Sequence, residues 1–483
     1  MLKVPDTASN LQIRNACEGV LPLHAKIAPW MEQTLTQQPV QQWVGRWGSP
    51  LNVLQVEPFQ QNLSELHRVG EQRDVDLRAF FARKANKCPA FITAAAAVDA
   101  GIDTASEVEL TQTLDAGVES ERVICTAAVK SEALLEQCVA NDVVIAIDNA
   151  DELRATDRVA ARLRRSARVA LRISGFQHDG EKLHSRFGVD IDEVSGFTDL
   201  FWPHPNTHPI RLVGLHFHLD GYSADQRVSA IQQSLQLVDR LRDRGHKIDF
   251  LDIGGGIPMR YLESESQWQD FWREHEAALL GKRSEVTYRN HPLARQLHDG
   301  RVQGAPNSYP YWQPLVQAEW MARVLDAEFE GATIAKAVAR RDLQLRCEPG
   351  RSVLDGCGMT IARVEFRKRH PDGYWLIGLS MNRTQCRTSS DDFLVDPLLL
   401  PADTAPQERT APMEGYLVGA YCTESELIQL RRMRFTKGVA IGDLIVFPNT
   451  AGYLMHFLES RSHQFPLAEN LLVGDAGDAP RLV

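Results

Sequence analysis

The feature that most constrains the fold is a series of short apolar runs, each followed by a segment long enough to form a helix. We count eight such runs, several of them rich in β-branched residues: 77–82, 101–105, 122–126, 143–148, 168–173, 211–218, 248–253 and 343–348. This alternation predicts parallel strands that are joined by helices. Eight parallel strands close into a TIM-type (β/α)8 barrel. We therefore expect an α/β chain with such a barrel at residues 77–345.

One connection in this barrel is unusually long. Residues 258–342 separate the last two strands, whereas a βα loop usually has about two to six residues. Its stretch 281–313 is polar and contains several prolines. The connection is either a lid over the mouth of the barrel or a solvated insertion, and the sequence leaves both interpretations open.

The pattern changes to β-type runs with few helices after Glu348. Examples are MTIARVEF, GYWLIGL and GDLIVF. They predict a second, β-rich domain of barrel or sandwich type at residues 346–483. Residues 49–76 begin with the extended run SPLNVLQV, which we expect to contribute a strand to that domain. Residues 1–48 form an N-terminal extension, predicted to be helical.

Charge and cysteine content argue against several classes of protein. The formal net charge of −10 does not suit a nucleic-acid partner, which needs clustered Lys and Arg. The eight cysteines include no CxxC pair, so we expect neither a zinc site nor a disulfide framework. The start of the chain does not look like a secretory signal, and no run of about 18 apolar residues is present. We expect a cytoplasmic protein without a nucleic-acid or membrane partner.

Candidate site residues follow the predicted strands, because TIM barrels gather their active sites at the carboxyl ends of the strands. Lys84 follows the first strand in FFARKANK, where an enclosed lysine can lose its proton and form an imine. Gly254, Gly255 and Gly256 follow the seventh strand in LDIGGGIP. Without Cβ atoms, their backbone N–H groups can approach an anion. Phosphate often binds at the loops after strands seven and eight.

The sixth and eighth strands add further polar residues. Glu348 and Arg351 lie in CEPGR, where a carboxylate could favour a protonated heterocyclic nitrogen or could simply pair with the arginine. His216 and His218 would share one face of the sixth strand. No third ligand with suitable spacing follows them, so an imidazole against a ring-shaped cofactor is a better interpretation than a metal site, and His216 could instead be a buried structural histidine.

These stretches together resemble the fold-type III decarboxylases that depend on pyridoxal phosphate (PLP), a family that includes diaminopimelate and ornithine decarboxylases. The resemblance covers the chain from residue 49 onward, in the family's order. FARKAN is similar to the family's lysine motif, GIDTASEVEL to a stretch near that lysine, and SRFGVD to its Lys/Arg-Phe-Gly segment. GLHFH, LDIGGG and CEPGR match in the barrel, and GAYCTESE and FPNTAGY match in the β-rich domain.

The resemblance implies PLP as the cofactor and an amino acid as the substrate. It assigns Lys84 to a Schiff base with PLP, His218 to stacking on the ring, and Glu348 to the pyridine nitrogen. The implied cofactor-binding residues are Lys84, Asp103, His218, Gly254, Gly255, Gly256, Glu348, Gly350, Arg351 and Tyr453. Cys422 would protonate the α-carbon after CO₂ leaves, reaching the site from the other subunit of a homodimer.

The chain departs from the family where the family binds its substrate. Thr423 follows Cys422, at the position of an acid that recognises the distal amino group of the substrate. Glu424 or Glu426 could replace that acid, and both remain candidates. Two arginines in MNRTQCR compete for the place of the family's substrate-binding arginine. The candidates for substrate contact are Arg351, Arg383, Arg387, Glu424 and Tyr453.

The sequence therefore predicts decarboxylation of an amino acid, with a diamino acid or a related compound as the substrate. A PLP-dependent racemase of the same barrel type is one alternative, although such racemases typically place Arg rather than Glu at the pyridine nitrogen. A catalytically silent homologue that binds PLP and regulates an active decarboxylase is another. The presence of Lys84, the glycine triplet and Tyr453 argues against a silent homologue.

Overall fold

The computed structural model describes residues 14, 16–202, 208–388, 393–402, 409, 411–474 and 479–483. The chain divides into two compact units. The barrel unit comprises Phe59–Pro258 and Leu315–Val353, and the sheet unit comprises Met1–Pro58, Met259–Pro314 and Leu354–Val483. Each unit has its own cluster of buried apolar side chains.

Eight parallel strands form the wall of the barrel unit. Each strand pairs with the next, and the eighth pairs with the first, so the wall is closed. The strands are Leu77–Ala82, Gly101–Thr104, Val123–Cys125, Val144–Ile147, Ala167–Ser174, Ile210–His216, Phe250–Asp252 and Gln344–Cys347. All eight strands predicted from the sequence are present, and the predicted fold class, a TIM barrel with a β-rich second region, is confirmed.

Helices follow most of the barrel strands. Ser106 caps one of these helices, where its hydroxyl accepts a hydrogen bond from the backbone N–H of Glu109. The helices are Glu57–Glu71, Ala90–Ala96, Glu107–Asp115, Glu132–Ala140, Ala150–Leu163, Val194–Phe201, Ala224–Asp243, Gln317–Leu325 and Ile334–Arg340. Short strands outside the wall are Gln177–His178, Glu181–Lys182, Val189–Asp190, Glu328–Phe329 and Ala332–Thr333.

The sheet unit contains a mostly antiparallel sheet of ten strands. Its strands are Glu18–Gly19, Leu51–Leu54, Gly358–Arg369, Trp375–Leu379, Leu398–Leu400, Met413–Val418, Met433–Phe435, Leu444–Pro448, Glu469–Leu472 and Arg481–Leu482. Leu51–Leu54 pairs with Gly358–Arg369 and with Glu469–Leu472, so a segment from before the barrel lies within this sheet. Helices Pro29–Gln37 and Val40–Trp47 pack apolar side chains against it.

The long connection between the last two barrel strands is divided between the units. Its first part belongs to the sheet unit and contains helix Glu265–Leu279 and the hairpin Gln296–His298 and Arg301–Gln303. Tyr261, Tyr309 and Tyr311 of this part are buried, and their ring centroids lie 5.1–5.6 Å apart in edge-to-face pairs. Tyr311 also packs edge-to-face on the buried Phe393, with ring centroids 6.0 Å apart, so this aromatic cluster connects the segment to the rest of the sheet unit.

All eight cysteines have free thiols, seven of them buried and one, Cys422, exposed. Within the described ranges, no helix combines the length and the hydrophobicity that a membrane crossing requires.

Candidate functional site

Lys84 lies in a short turn, Arg83–Ala85, directly after the first barrel strand. Its Nζ donates a hydrogen bond of 2.9 Å to Oδ2 of Asp103, at the end of the neighbouring second strand. The turn is held by the buried Arg83 guanidinium, which donates to the backbone carbonyls of Asn86 and Lys87. The amino group is thus held at the carboxyl end of the barrel, and 38% of the Lys84 side chain remains accessible.

Asp103 is almost completely buried beneath that lysine. Thr126 donates a second hydrogen bond to its carboxylate. Burial and the nearby charge of Glu348 raise the pKa of Asp103, while Lys84 opposes the rise. The ionised form of Asp103 is therefore stabilised mainly by its cationic partner, the Lys84 ammonium.

The glycine triplet follows the seventh strand and requires glycine at each position. Gly254 and Gly256 have left-handed φ angles of +67° and +79°, which favour glycine. A Cβ at Gly254 would collide with the carbonyl oxygen of Phe217. A Cβ at Gly255 would lie 2.9 Å from the carbonyl oxygen of Glu348, and one at Gly256 would lie 2.7 Å from that of Gly221. Gly254 and Gly255 are buried, so the triplet packs tightly against neighbouring carbonyl groups and has no room for side chains.

Arg227 binds the backbone of the glycine triplet. The sequence did not predict this role. The Arg227 guanidinium is fully buried and donates to the carbonyl oxygens of Ile253 and Gly255, the latter at 2.8 Å. Burial lowers its pKa to about 10, so it remains charged at neutral pH. Because these acceptors lie 26 and 28 residues further along the chain, no local pattern marks the contact.

Glu348, at the end of the eighth strand, belongs to a buried polar cluster with His216 and Asp252. Oε1 of Glu348 lies 3.1 Å from Nε2 of His216, and Oδ1 of Asp252 accepts a 2.9 Å bond from the N–H of Gly254. Burial raises the pKa of Glu348, and burial together with the charge of Glu348 raises that of Asp252. Ligand atoms of the three residues lie within 4.8 Å of one another, a spacing that a metal ion could also use.

The sixth strand ends at His216, so His218 lies just beyond it rather than within the strand as the sequence predicted. Nδ1 of His218 accepts a hydrogen bond of 3.2 Å from the backbone N–H of Gly255. An accepting Nδ1 carries no proton, and burial and the charge of Arg227 hold the pKa of His218 well below its ordinary value. His218 is therefore a neutral ring, half-buried beside the glycine triplet.

Arg172, in the fifth strand, is a second inward-facing arginine that sequence reasoning missed. It is buried, its Cζ lies 4.0 Å from the ring centroid of Phe187, and its charge acts on both His216 and Glu348. Gly350 and Arg351 lie two and three residues after Glu348, with Gly350 buried and Arg351 partly exposed.

The structure thus brings one group of predicted site residues together at the carboxyl end of the barrel: Lys84, Asp103, His218, Gly254, Gly255, Gly256 and Glu348. Gly350 and Arg351 also belong to the barrel unit, whereas the other predicted residues belong to the sheet unit: Arg383, Arg387, Cys422, Glu424 and Tyr453.

Two segments of the sheet unit that carry predicted residues contact each other. The backbone N–H of Arg383 donates to Oε1 of the buried Glu426 at 2.8 Å, and its guanidinium donates to the carbonyl of Ser425 at 3.1 Å. Arg387 donates a weak bond of 3.4 Å to the carbonyl of Leu427. Cys422 and Glu424 are exposed on the same segment. Glu426 therefore has a structural partner, whereas Glu424 projects to the surface.

Tyr453 adopts a left-handed φ of +69°, an uncommon conformation for a tyrosine. It follows strand Leu444–Pro448, and its ring packs edge-to-face against Phe457 with centroids 5.6 Å apart. Its side chain is partly exposed.

The residues at the barrel end fit PLP in their chemistry. A lysine amine is available for covalent attachment, a glycine backbone without Cβ atoms suits a phosphate, and a buried carboxylate suits a protonated ring nitrogen. The neutral, half-buried imidazole of His218 offers a flat surface for a ring. These are the groups that hold this cofactor and set its electronic state.

Comparison with known proteins identifies the family. The sequence model of the family described as pyridoxal-dependent decarboxylase, pyridoxal binding domain, matches residues 60–288. An uncharacterized protein of Sinorhizobium fredii, y4yA, is 30% identical over 446 residues, which cover 91% of each chain. Diaminopimelate decarboxylase of Pseudomonas aeruginosa is 23% identical over 386 residues, 77% of this chain and 76% of that one.

Among solved structures, diaminopimelate decarboxylase of M. jannaschii superimposes with a TM-score of 0.67 at 15% identity, covering 92% of this chain and 90% of that one. That likeness shows the fold. The sequence matches and the shared motifs together show that the chain belongs to the fold-type III PLP-dependent decarboxylase family, whose members include diaminopimelate and ornithine decarboxylases.

Proposed function

We propose that this protein decarboxylates an amino acid and that Lys84 is the residue that binds PLP covalently. The observation that carries the proposal is the convergence of Lys84, Glu348 and the glycine triplet at one end of the barrel. Lys84 would supply the amine for covalent attachment, Glu348 the carboxylate for the ring nitrogen, and the glycine triplet the space for the phosphate.

When bound, PLP supplies an electron sink that weakens the bond between the α-carbon and the carboxylate of the substrate. Glu348 would hold a proton at the ring nitrogen, because a buried carboxylate next to that nitrogen would favour the protonated pyridinium. Gly254, Gly255 and Gly256, which leave no room for side chains, would border the phosphate, and Gly350 and Arg351 would assist them. His218 would pack against the ring and exclude water from that face.

Lys84 and Asp103 act as a pair. Their 2.9 Å ion pair orients the free Nζ atom at the strand end before the cofactor binds. Because the carboxylate is buried, it would hold the amine at the same position again after the cofactor leaves.

Cys422 is the proposed acid that delivers a proton to the α-carbon. It is the one exposed cysteine of eight, in a segment adjacent to Arg383 and Arg387. An exposed thiol can meet a site on another subunit, which supports a homodimer whose active sites are shared. Glu348 at the ring nitrogen favours decarboxylation over racemisation in this family.

The substrate is proposed to be a diamino acid or a related amino acid. Glu424 is exposed and can accept a bond from a distal ammonium group, whereas Glu426 is buried against the backbone of Arg383. Arg383 is held by Glu426 and Ser425, so Arg387 is the better candidate for contact with a carboxylate of the substrate. Known relatives include decarboxylases named for diaminopimelate and ornithine.

A panel of L- and D-amino acids tests the reaction. We expect CO₂ release from at least one basic or diamino acid, without loss of optical rotation in the remaining substrate. Loss of rotation without CO₂ would indicate a racemase, and PLP binding without turnover of any amino acid would indicate a silent homologue.

Mixing two inactive variants tests the shared site. Lys84→Ala and Cys422→Ala should each be inactive alone, and a refolded mixture should recover part of the activity if one subunit supplies the lysine and its partner the thiol. No recovery, with both variants shown to exchange subunits, would contradict the shared site. A mixture of Lys84→Ala with Glu348→Ala is the matched control, because both changes affect the same barrel and should not complement.

A further inference from the structure

A cavity of about 1050 Å³ lies at the amino-terminal end of the barrel, opposite to Lys84 and the glycine triplet. The starts of the barrel strands and the loops before them line it. Six of its lining residues are Arg or Lys and four are Asp or Glu, in a chain whose formal net charge is −10. The cavity thus has an excess of cations where the chain as a whole is acidic, and anions are attracted to such a place.

Arg346 is the central observation. It belongs to the eighth strand, lines the cavity and is 6% exposed. Its Cζ lies 3.7 Å from the ring centroid of Phe250 and 4.8 Å from that of Phe80. Its Nε donates to Oε1 of Gln344 at 2.7 Å, but its Nη1 is buried without a hydrogen-bond partner among the described residues. Burial lowers its pKa to about 10, which leaves it charged at neutral pH.

A buried, charged donor without a partner costs stability, and a leucine or methionine between two phenylalanine rings would avoid that cost. The barrel core at this end already contains apolar side chains such as Ile124 and Val213. The guanidinium is therefore not needed to fill the core. An anion in the cavity would compensate the charge of this guanidinium.

Other cations of the cavity also have capacity to bind. Arg211 is exposed and has no hydrogen bond or ion pair within the described part of the chain. Arg168 has a long contact of 3.7 Å with Asp142, and Lys247 has one of 3.9 Å with Asp249. At these distances the carboxylates do not saturate the donors.

We propose that this cavity is a second binding site and that its ligand is a small anion with a phosphate group. Arg168, Arg211 and Arg346 line one space, whereas Arg78 and Arg122 are paired with Asp76 and Asp99. A tetrahedral dianion can accept bonds from several directions at once, whereas a carboxylate accepts in one plane. The volume is that of a small-molecule site rather than of a single ion, so the ligand carries more than its phosphate. The site lies at the end of the barrel that the proposed reaction does not use.

Calorimetric titration of the full-length protein tests the proposal. The protein is first saturated with PLP and freed of excess, so that the phosphate position at the glycine triplet is occupied. Inorganic phosphate and pyrophosphate are the probes, and succinate is the dicarboxylate comparison. We expect pyrophosphate to bind more tightly than phosphate, and both to bind more tightly than succinate.

Three variants locate the binding. Arg211→Ala and Arg346→Met should each weaken pyrophosphate binding by about tenfold or more, because each removes charge-assisted hydrogen bonds. Arg240→Ala is the matched control, since it removes an exposed arginine on helix Ala224–Asp243, outside the cavity lining, and should leave affinity unchanged. If Arg346→Met does not fold, Arg211→Ala alone tests the proposal, because Arg211 is exposed.

The proposal is overturned if the protein binds neither probe at millimolar concentration, or if Arg211→Ala and Arg240→Ala bind pyrophosphate equally well. Tighter binding of succinate than of either phosphate would also overturn it, because the ligand class would then be wrong. Visible absorbance of the bound PLP, measured in every variant, shows that any loss of binding is independent of the cofactor site.

Discussion

Nε2 of His216 lies 3.1 Å from Oε1 of Glu348, and both side chains are buried inside the barrel. Burial and the charge of Arg172 hold the pKa of His216 well below its ordinary value, so the imidazole is neutral at neutral pH. In the tautomer with its proton on Nε2, the imidazole donates to the carboxylate and stabilises its ionised form. We expect His216 to act in this way as a positioning residue for Glu348, and through Glu348 to affect the proposed ring-nitrogen contact.

His216→Phe should raise the pKa of Glu348 further, because a hydrogen bond to a carboxylate lowers its pKa and the variant removes that bond. The acid limb of the kcat profile should therefore move to higher pH, and kcat at neutral pH should fall by about tenfold. His216→Gln, which keeps a donor, should restore most of the activity. A pH profile of kcat checks this, and an unchanged acid limb in His216→Phe would contradict the assignment.

Asp252 should make stability depend on pH in a recognisable way. Its folded pKa is raised by burial and by the charge of Glu348, so the folded state keeps a proton that the unfolded chain has released. Stability from this group is present below the ordinary carboxyl pKa and is lost as pH rises through the folded value. Asp252→Asn cannot ionise, and its Oδ1 can still accept from Gly254. The melting temperature of Asp252→Asn should therefore increase relative to that of the wild type as pH rises from acid to neutral.

The matched variant Asp252→Ala loses the bond to Gly254 as well as the charge. It should be less stable than Asp252→Asn at every pH, by about 1–3 kcal/mol. Thermal melts of the three proteins across this pH range measure both effects. A difference between Asp252→Asn and the wild type that does not change with pH would mean that Asp252 is ionised in the folded protein.

Gly254→Ala should cost more stability than Gly117→Ala. Both glycines have a left-handed φ, +67° and +80°, but nothing lies within 4 Å of a Cβ at Gly117, whereas one at Gly254 meets a backbone carbonyl. Gly117→Ala should cost about 1–2 kcal/mol from strain alone. Gly254→Ala should add about 1–3 kcal/mol and also weaken PLP binding. Denaturation midpoints and PLP titration check this, and equal effects of both substitutions would contradict the role of the glycine triplet.

The barrel was predictable because each strand has a local pattern of its own. Apolar runs bounded by polar or turn residues located all eight strands within a few residues, and Lys84 and Glu348 could be placed at strand ends for the same reason. The side-chain alternation predicted for the sixth strand does not extend to His218, because the strand ends at His216. His218 instead bonds the backbone of the glycine triplet.

Contacts between distant parts of the chain were not predictable in this way. Arg227 looks like an ordinary polar residue of an amphipathic helix, and only the folded chain shows it bonded to Ile253 and Gly255. Arg346 likewise looks like one charged residue in a short strand, and its burial between phenylalanine rings depends on the barrel interior. The tyrosines of the long connection gave no periodic signal, although they form a buried cluster.

Reduction of the holoenzyme with borohydride, followed by peptide mapping, tests the central claim most directly. Borohydride fixes an imine between a lysine and PLP as a stable secondary amine, so the modified residue can be identified by mass spectrometry. We predict the pyridoxyl group on Lys84 alone, with no labelled peptide and no CO₂ release in Lys84→Ala. Labelling of a different lysine, or CO₂ release by Lys84→Ala at the wild-type rate, would contradict it.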